Sequence, residues 1–425
     1  MRAPRASWAI LGAWVALILA ARFVLQDLVA SGAHLRIPFP PLDASLDWRP
    51  NWRLVFPVAV GVAVVVAAPG VARRVRWPTL LAGSAVLGGA WAVALALLDG
   101  VHGLVGSVTL GSEYFVDIGR VGSPGAFLHG FVSRLAEYSV HVQGHPPGYL
   151  LGLWGLDRVG LGSVGVVAAL EIVGGALAIP AVLIAVREVA GESVARAAAP
   201  FVAVAPLAIW VATSADALFA GVSAWAVTLV ILATGRAGRL RAGYALAGGL
   251  LLAVTAFLSY GLVLLAIIPV AVAIHRRCWP SLLIAALGGL VVFAAFAAAG
   301  FWWFDGLAAT HTRYYAGVAS RRPYLQFLLV DLACFLIALG PAIAVALGRL
   351  RDRRVWLLVG SAMAAVALAA LSGMSKGEVE RIWLPFSIWV LPAGAVLAFG
   401  PRRAGWLASQ VAFTIVLQTL VRSPW

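Results

Sequence analysis

Residues 73–98 read RRVRWPTLLAGSAVLGGAWAVALALL. Three arginines precede a run, 77–98, that carries no charge at all. A helix needs about 20 apolar residues to cross the hydrocarbon core of a bilayer. Cytoplasmic loops gather Lys and Arg. The stretch therefore reads as a membrane-crossing helix that starts at the cytoplasmic face. The pattern recurs along the chain. Apolar residues make up 62% of the 425 and charged residues 11%, whereas soluble domains carry roughly 25% charge. The net charge of +14 does not indicate a nucleic-acid partner, because the basic residues stand in short clusters between apolar runs.

Spans follow from apolar length and orientation from the arginines. Arg2 and Arg5 place the N-terminus in the cytoplasm. The first apolar run resembles a signal peptide but reaches about Val29 with no small-residue cleavage site, so it reads as a retained anchor. Runs at 8–27, 54–71 and 78–98 carry the chain to the outer face. Residues 99–145 form an outer loop, in which 125–140 (GAFLHGFVSRLAEYSV) has helical apolar spacing and reads as one interfacial helix. Arg187 and Arg196, then Arg236, Arg239 and Arg241, then Arg276-Arg277, Arg349 to Arg354, and Arg402-Arg403 mark inner loops. The outer tips are then Asp216, Ser259-Tyr260, the loop 304–325 and residues 373–381. Only one of the runs 146–160 and 163–186 crosses if His145 is outside and Arg187 inside. The first is short, and reads as a re-entrant or interfacial helix. The expectation is one all-α, multi-pass membrane domain spanning 1–425, of about 13 transmembrane helices, N-terminus in and C-terminus out. Cys278 and Cys334 lie far apart and have no metal-binding spacing.

The outer tips are polar while the inner loops carry mainly arginine. The outer set is Glu113, Asp117, His141, His145, Asp216, Tyr260, His311, Arg313, Tyr314, Tyr315, Lys376, Glu378, Glu380 and Arg381. Glu113 and Asp117, four apart, share a face if helical, and such a pair serves as a general base or as oxygen ligands for a divalent cation. Two ordinary loop acids are the plainer alternative. In His145-Pro146-Pro147-Gly148 the prolines open an apolar helix and hold His145 away from helical geometry. A helix N-terminus there favours a phosphate. Asp216, in Thr213-Ser214-Ala215-Asp216-Ala217-Leu218, is an acid between two apolar runs, costly there and so a site candidate, against an acid at a hairpin tip in water or capping the next helix. The fork of Arg381, after Lys376-Gly377-Glu378-Val379-Glu380, suits phosphate oxygens, against a local Arg381–Glu378 pair. His311, Arg313, Tyr314 and Tyr315 suit an anionic headgroup or a sugar face, or simply an aromatic belt. Glu171, within an apolar run, is best matched to a partner on another helix.

An acidic outer loop, HPPG opening an apolar helix, Ala-Asp-Ala-Leu about 70 residues later and Glu-Val-Glu-Arg-Ile-Trp-Leu-Pro near the end resemble the GT-C membrane glycosyltransferases. The resemblance is to the branch of protein O-mannosyltransferases and aminoarabinose transferases, nearest its actinobacterial integral membrane members. It covers roughly residues 100–400, and 171–229 resembles that family's second module. It implies a bacterial plasma-membrane enzyme that moves a sugar from a polyprenyl phosphate to a glycan, lipid or protein hydroxyl at the extracytoplasmic face, among membrane lipids. The family's loop acid maps to Glu113 or Asp117, its HPP histidine to His145 and its second acid to Asp216. Two features depart from the family. The acids here are spaced ExxxD, and residues 1–72 add a pair of spans before the acidic loop.

The resulting expectation assigns catalysis to Glu113, Asp117 and Asp216, and the donor phosphate to His145, Lys376, Arg381 and Arg313. Substrate contacts fall to His141, Tyr260, His311, Tyr314, Glu378 and Glu380. A divalent cation, Mg or Mn, on Glu113, Asp117 and Asp216 stays open. So do the alternatives of a lipid-linked sugar transporter or an inactive structural relative.

Overall fold

The computed structural model describes residues 2–33, 35, 37, 39, 41–212, 214–400 and 402–423; Thr213 and the side chains of residues 2–4 lie outside the described part. Among the described residues the chain is all-α apart from a two-residue antiparallel pairing, Ser45–Leu46 with Val421–Arg422, and an isolated bridge between Phe39 and Leu42. Among the described residues, eight helices are long and apolar enough to cross a membrane: Arg5–Ala30, Trp52–Arg74, Trp77–Asp99, Val164–Ala190, Ala215–Thr234, Gly238–Leu258, Trp279–Ala298 and Arg353–Leu371. A ninth arises if Tyr324–Leu339 and Pro341–Arg349, bent by 99°, form one span.

The other runs in the expected count of about 13 are not among these helices, and several are broken for local reasons. Residues 197–213 split into the end of the helix Glu192–Ala203 and a 3-10 turn at Pro206–Trp210, where Pro206 removes a backbone donor. Residues 260–275 begin as a 3-10 turn, Tyr260–Ala266. Pro385 and Pro392 divide 384–398 into short turns. The single interfacial helix expected over 125–140 is also three pieces, Pro124–Gly130, Leu135–Glu137 and Val140–Gly144. There Phe127, Phe131 and Tyr138 turn into the core and pack on one another rather than forming one stripe. The run after His145 is an 11-residue helix, Gly148–Arg158, about 16 Å long. It is too short to cross, as expected.

Burial sorts the helices. Ala215–Thr234 and Val164–Ala190 are central, with 72% and 61% of their apolar windows buried. They cross closely because Gly221 rests on the backbone of Gly174, where a Cβ would collide with the Gly174 carbonyl. Small residues allow this approach in a medium where apolar side chains gain little by leaving lipid. Trp279–Ala298 is peripheral, 17% buried. Its Leu283, Leu287, Leu290 and Val291 are exposed on an apolar flank that suits hydrocarbon.

Side-chain bonds tie each end of the bundle. At one end Arg196 donates to the carbonyls of Ala72 and Val75 at 2.7 and 2.9 Å, and Arg187 lies over Trp77. There Glu188 pairs with Arg236 and Arg276, and Arg349 reaches Ser7. At the other end Arg49 pairs with Asp99 at 2.6 Å and donates to the carbonyls of Gln418 and Val421.

Candidate functional site

The end opposite the arginine-rich one holds a buried polar chain. It begins at Asp216, on the first turn of the helix Ala215–Thr234. Ser214 caps that helix: its Oγ accepts from the Asp216 N–H at 3.0 Å and donates to Asp216 Oδ2 at 2.9 Å. The N-terminal dipole adds to the stabilisation of the carboxylate. Arg381 Nη1 donates to the same Oδ2 at 2.7 Å. Arg381 Nη2 reaches Glu378 Oε2 at 3.3 Å and His141 Nε2 at 3.2 Å. A guanidinium only donates, so His141 Nε2 accepts and its proton is on Nδ1. That nitrogen lies 2.8 Å from Glu113 Oε1. The order is Glu113, His141, Arg381, Asp216, with all four side chains buried.

Four segments converge to make this chain. Glu113 precedes the 3-10 turn Tyr114–Arg120. His141 is on Val140–Gly144, held by its own N–H to the Ser112 carbonyl at 3.0 Å. Arg381 follows a tight turn in which Gly377 and Glu378 both have positive φ, 84° and 62°. Glu378 is a non-glycine in the left-handed region, which is costly and needs outside support. Asp331 provides it by accepting the Gly377 N–H at 2.8 Å, while Arg322 donates to the carbonyls of Lys376 and Leu35.

The two loop acids part company. The segment is 3-10, so they do not share an α-helical face. Asp117 accepts the Ser139 N–H at 2.6 Å and pairs with Arg120 at 2.9 Å. It anchors the loop, while Glu113 joins the polar chain. Among the described residues no three of His, Cys, Asp and Glu gather as metal ligands, so Glu113, Asp117 and Asp216 do not form one ligand set here.

His145 sits beside the chain in an aromatic box of Tyr114 and Phe219, with Tyr149 packed on both rings. Its Nδ1 is 2.8 Å from the His141 carbonyl. A carbonyl only accepts, so Nδ1 carries the proton and neutral His145 presents a bare Nε2. Burial pushes its pKa down to about 4, against the raising field of Asp216. With Nδ1 committed to the His141 carbonyl, only Nε2 is left for the expected phosphate contact. Burial likewise holds the Tyr114 hydroxyl well above the usual range. Glu171 finds a partner on another helix, as expected, accepting from the Tyr149 hydroxyl at 2.8 Å.

Lys376 is also taken up by the fold. Its Nζ donates to the carbonyls of Ala319 and Arg322 at 3.1 Å each and lies over the Tyr315 ring. Its backbone N–H donates to the Tyr314 hydroxyl at 2.7 Å. It locks the turn before Arg381 and is not presented to a phosphate. Arg313 donates from Nε to Gln143 Oε1 and is otherwise exposed. It stands on Trp303–Ala316, which also docks through the Thr310 hydroxyl on the Gln143 carbonyl. His311 is exposed beside Tyr315, and Tyr260 is buried against Trp303; neither enters the polar chain. Glu380 is 1% exposed and, with Asp43 and Trp210, lines a small void.

Sequence reasoning missed Asp43, Arg322 and Asp331. Asp43 is one of two acids, with Asp47, in the loop after the first helix. Burial, aided by Glu378, raises its pKa to about 6. Asp331 stands inside an apolar run, the signal that singled out Asp216. No protein-family model and no curated protein matches this chain.

Proposed function

We propose that the chain is a GT-C-type glycosyltransferase of the bacterial plasma membrane, moving a sugar from a polyprenyl phosphate to an acceptor hydroxyl at the extracytoplasmic face. The observation that carries this reading is the buried Glu113–His141–Arg381–Asp216 chain at the end opposite the basic clusters. Four scarce ionisable groups, from segments far apart in sequence, are unfavourable in an apolar bundle unless used. The first and last basic clusters and those between them fit an inward-facing arginine end. On that orientation the chain passes the membrane thirteen times by our reading, five of those passes being broken, bent or short segments.

Glu113 is the base. His141 Nδ1–H fixes one of its oxygens, and the second accepts the acceptor's hydroxyl proton. The acceptor oxygen attacks the anomeric carbon as the bond from that carbon to the phosphate oxygen breaks. The electron pair leaves with the polyprenyl phosphate. One displacement inverts the anomeric centre. Arg381 is a positioning residue: its charge is already met by Asp216 and Glu378, and it holds both His141 and Asp216. Asp216 accepts from sugar hydroxyls. Arg313, exposed above Gln143, meets the leaving phosphate. Mg or Mn remains compatible with this chemistry, bound through Glu113 or Asp216 once substrate is present.

The test is transfer from radiolabelled polyprenyl-phosphate sugars in membranes holding the full chain. Glu113→Gln and Asp216→Asn should each cut the transfer that the unaltered chain supports by at least about a hundredfold. Undiminished transfer in both variants sinks the site, and no transfer by the unaltered chain with mannosyl or arabinosyl donors sinks the enzyme reading.

A further inference from the structure

At the arginine-rich end a cleft of about 390 Å³ opens between the start of Trp77–Ala96 and the ends of Val164–Ala190 and Ala215–Thr234. Trp77, Ile184 and Leu232 give it an apolar floor, and Arg187, Glu188 and Arg236 form the rim. Four arginines (187, 196, 236, 276) face two glutamates (188, 192) in the surrounding network, so 4 − 2 leaves two positive charges in excess.

Ion pairing between helices accounts for the glutamates but not for the cleft. Glu188 is held mainly by Arg276, at 3.1 Å to the side chain and 2.6 Å to the backbone carbonyl. Arg236 reaches it less closely, at 3.3 Å, and the Arg236 side chain remains 37% exposed. Arg187 lies over Trp77, 4.6 Å from the ring centroid, with 45% of its side chain exposed. Stacking on Trp77 and an ion pair with Glu192 at 2.7 Å hold its guanidinium beside the opening. Two pre-oriented guanidiniums above an apolar floor match an anionic phosphate joined to an apolar body.

We propose that this cleft binds a phosphate-bearing lipid headgroup, at the end of the molecule remote from the Glu113–Asp216 chain. The phosphodiester sits between Arg187 and Arg236, and the glycerol and first methylenes lie on Trp77, Ile184 and Leu232. The site is independent of the transferase reading, because none of its residues belongs to that chain.

The experiment is native mass spectrometry of the full chain released from mixed phosphatidylglycerol and phosphatidylcholine micelles. Phosphatidylglycerol should be retained selectively. Arg187→Gln and Arg236→Gln should each reduce retention about fivefold, and together roughly 30-fold. Arg402→Gln/Arg403→Gln, in a basic cluster elsewhere, should leave it unchanged. Glu188 keeps Arg276 in both cleft variants, and matching thermal midpoints will show that they fold. Equal retention of both lipids, or equal loss in the Arg402/Arg403 variant, overturns the site. Inorganic phosphate and glycerol phosphate form the second arm. Displacement of lipid by either at millimolar concentration overturns the lipid assignment and makes the cleft a site for soluble phosphate.

Discussion

Asp216 and Arg381, 165 positions apart, meet at 2.7 Å with each side chain only 5% exposed. Breaking a buried pair leaves an uncompensated charge, which costs about 3–5 kcal/mol. Arg381→Gln and Asp216→Asn should each lower the thermal midpoint in detergent. The double variant should lose less than the sum of the two, because neither charge is stranded. Additive losses would mean that the two side chains act separately.

Glu113 and Asp117 should give opposite phenotypes. Glu113→Gln should reduce transfer about 10²- to 10⁴-fold, the usual worth of a general base, with little change in thermal midpoint. Asp117→Asn weakens a carboxylate that holds the Ser139 N–H and Arg120. It should lower the midpoint while the residual folded protein still transfers sugar. The reverse pattern would make Asp117 the base.

His145 should titrate far below an ordinary histidine, its pKa lowered from 6.5 to about 4 by burial. In that interval the unfolded chain binds more protons than the folded one, so stability falls as pH drops from about 6.5 toward 4. His145→Gln should flatten that slope. Thermal midpoints across this range for both proteins measure it, and parallel curves would rule out a buried neutral His145.

Asp43 has the opposite sign. Its pKa is raised from 3.8 to about 6, so the folded chain binds more protons and stability falls as pH rises through that window. Asp43→Asn should gain on the unaltered chain between about pH 4 and 6 and keep that gain at pH 8. Partial exposure reduces the size of the effect by solvent screening. An unchanged difference across the window would place Asp43 in water.

Gly221 rests on the Gly174 backbone at the central helix crossing. Gly221→Ala should separate those helices and lower the midpoint, by about 1–3 kcal/mol of overpacking. Gly12, which has open space around it, is the control, and Gly12→Ala should be neutral.

The sequence by itself determined the membrane class, because apolar length and arginine spacing are local and additive. It also marked 146–160 as short for a span, and the helix there, Gly148–Arg158, has 11 residues. It picked out Glu113, His141, Asp216 and Arg381, because acids and bases are rare in this chain and stand out one at a time. Only the tertiary structure decided what each does. Whether a loop acid joins a polar chain or clamps a backbone N–H depends on which segment lands beside it. Asp117 met Ser139, and Lys376 met the carbonyls of Ala319 and Arg322. The breaks in the shorter runs had the same origin: proline marked them locally, but what they pack against fixed their direction. Burial and hydrogen bonds between distant segments are properties of the folded contact set, and no window along the chain contains them.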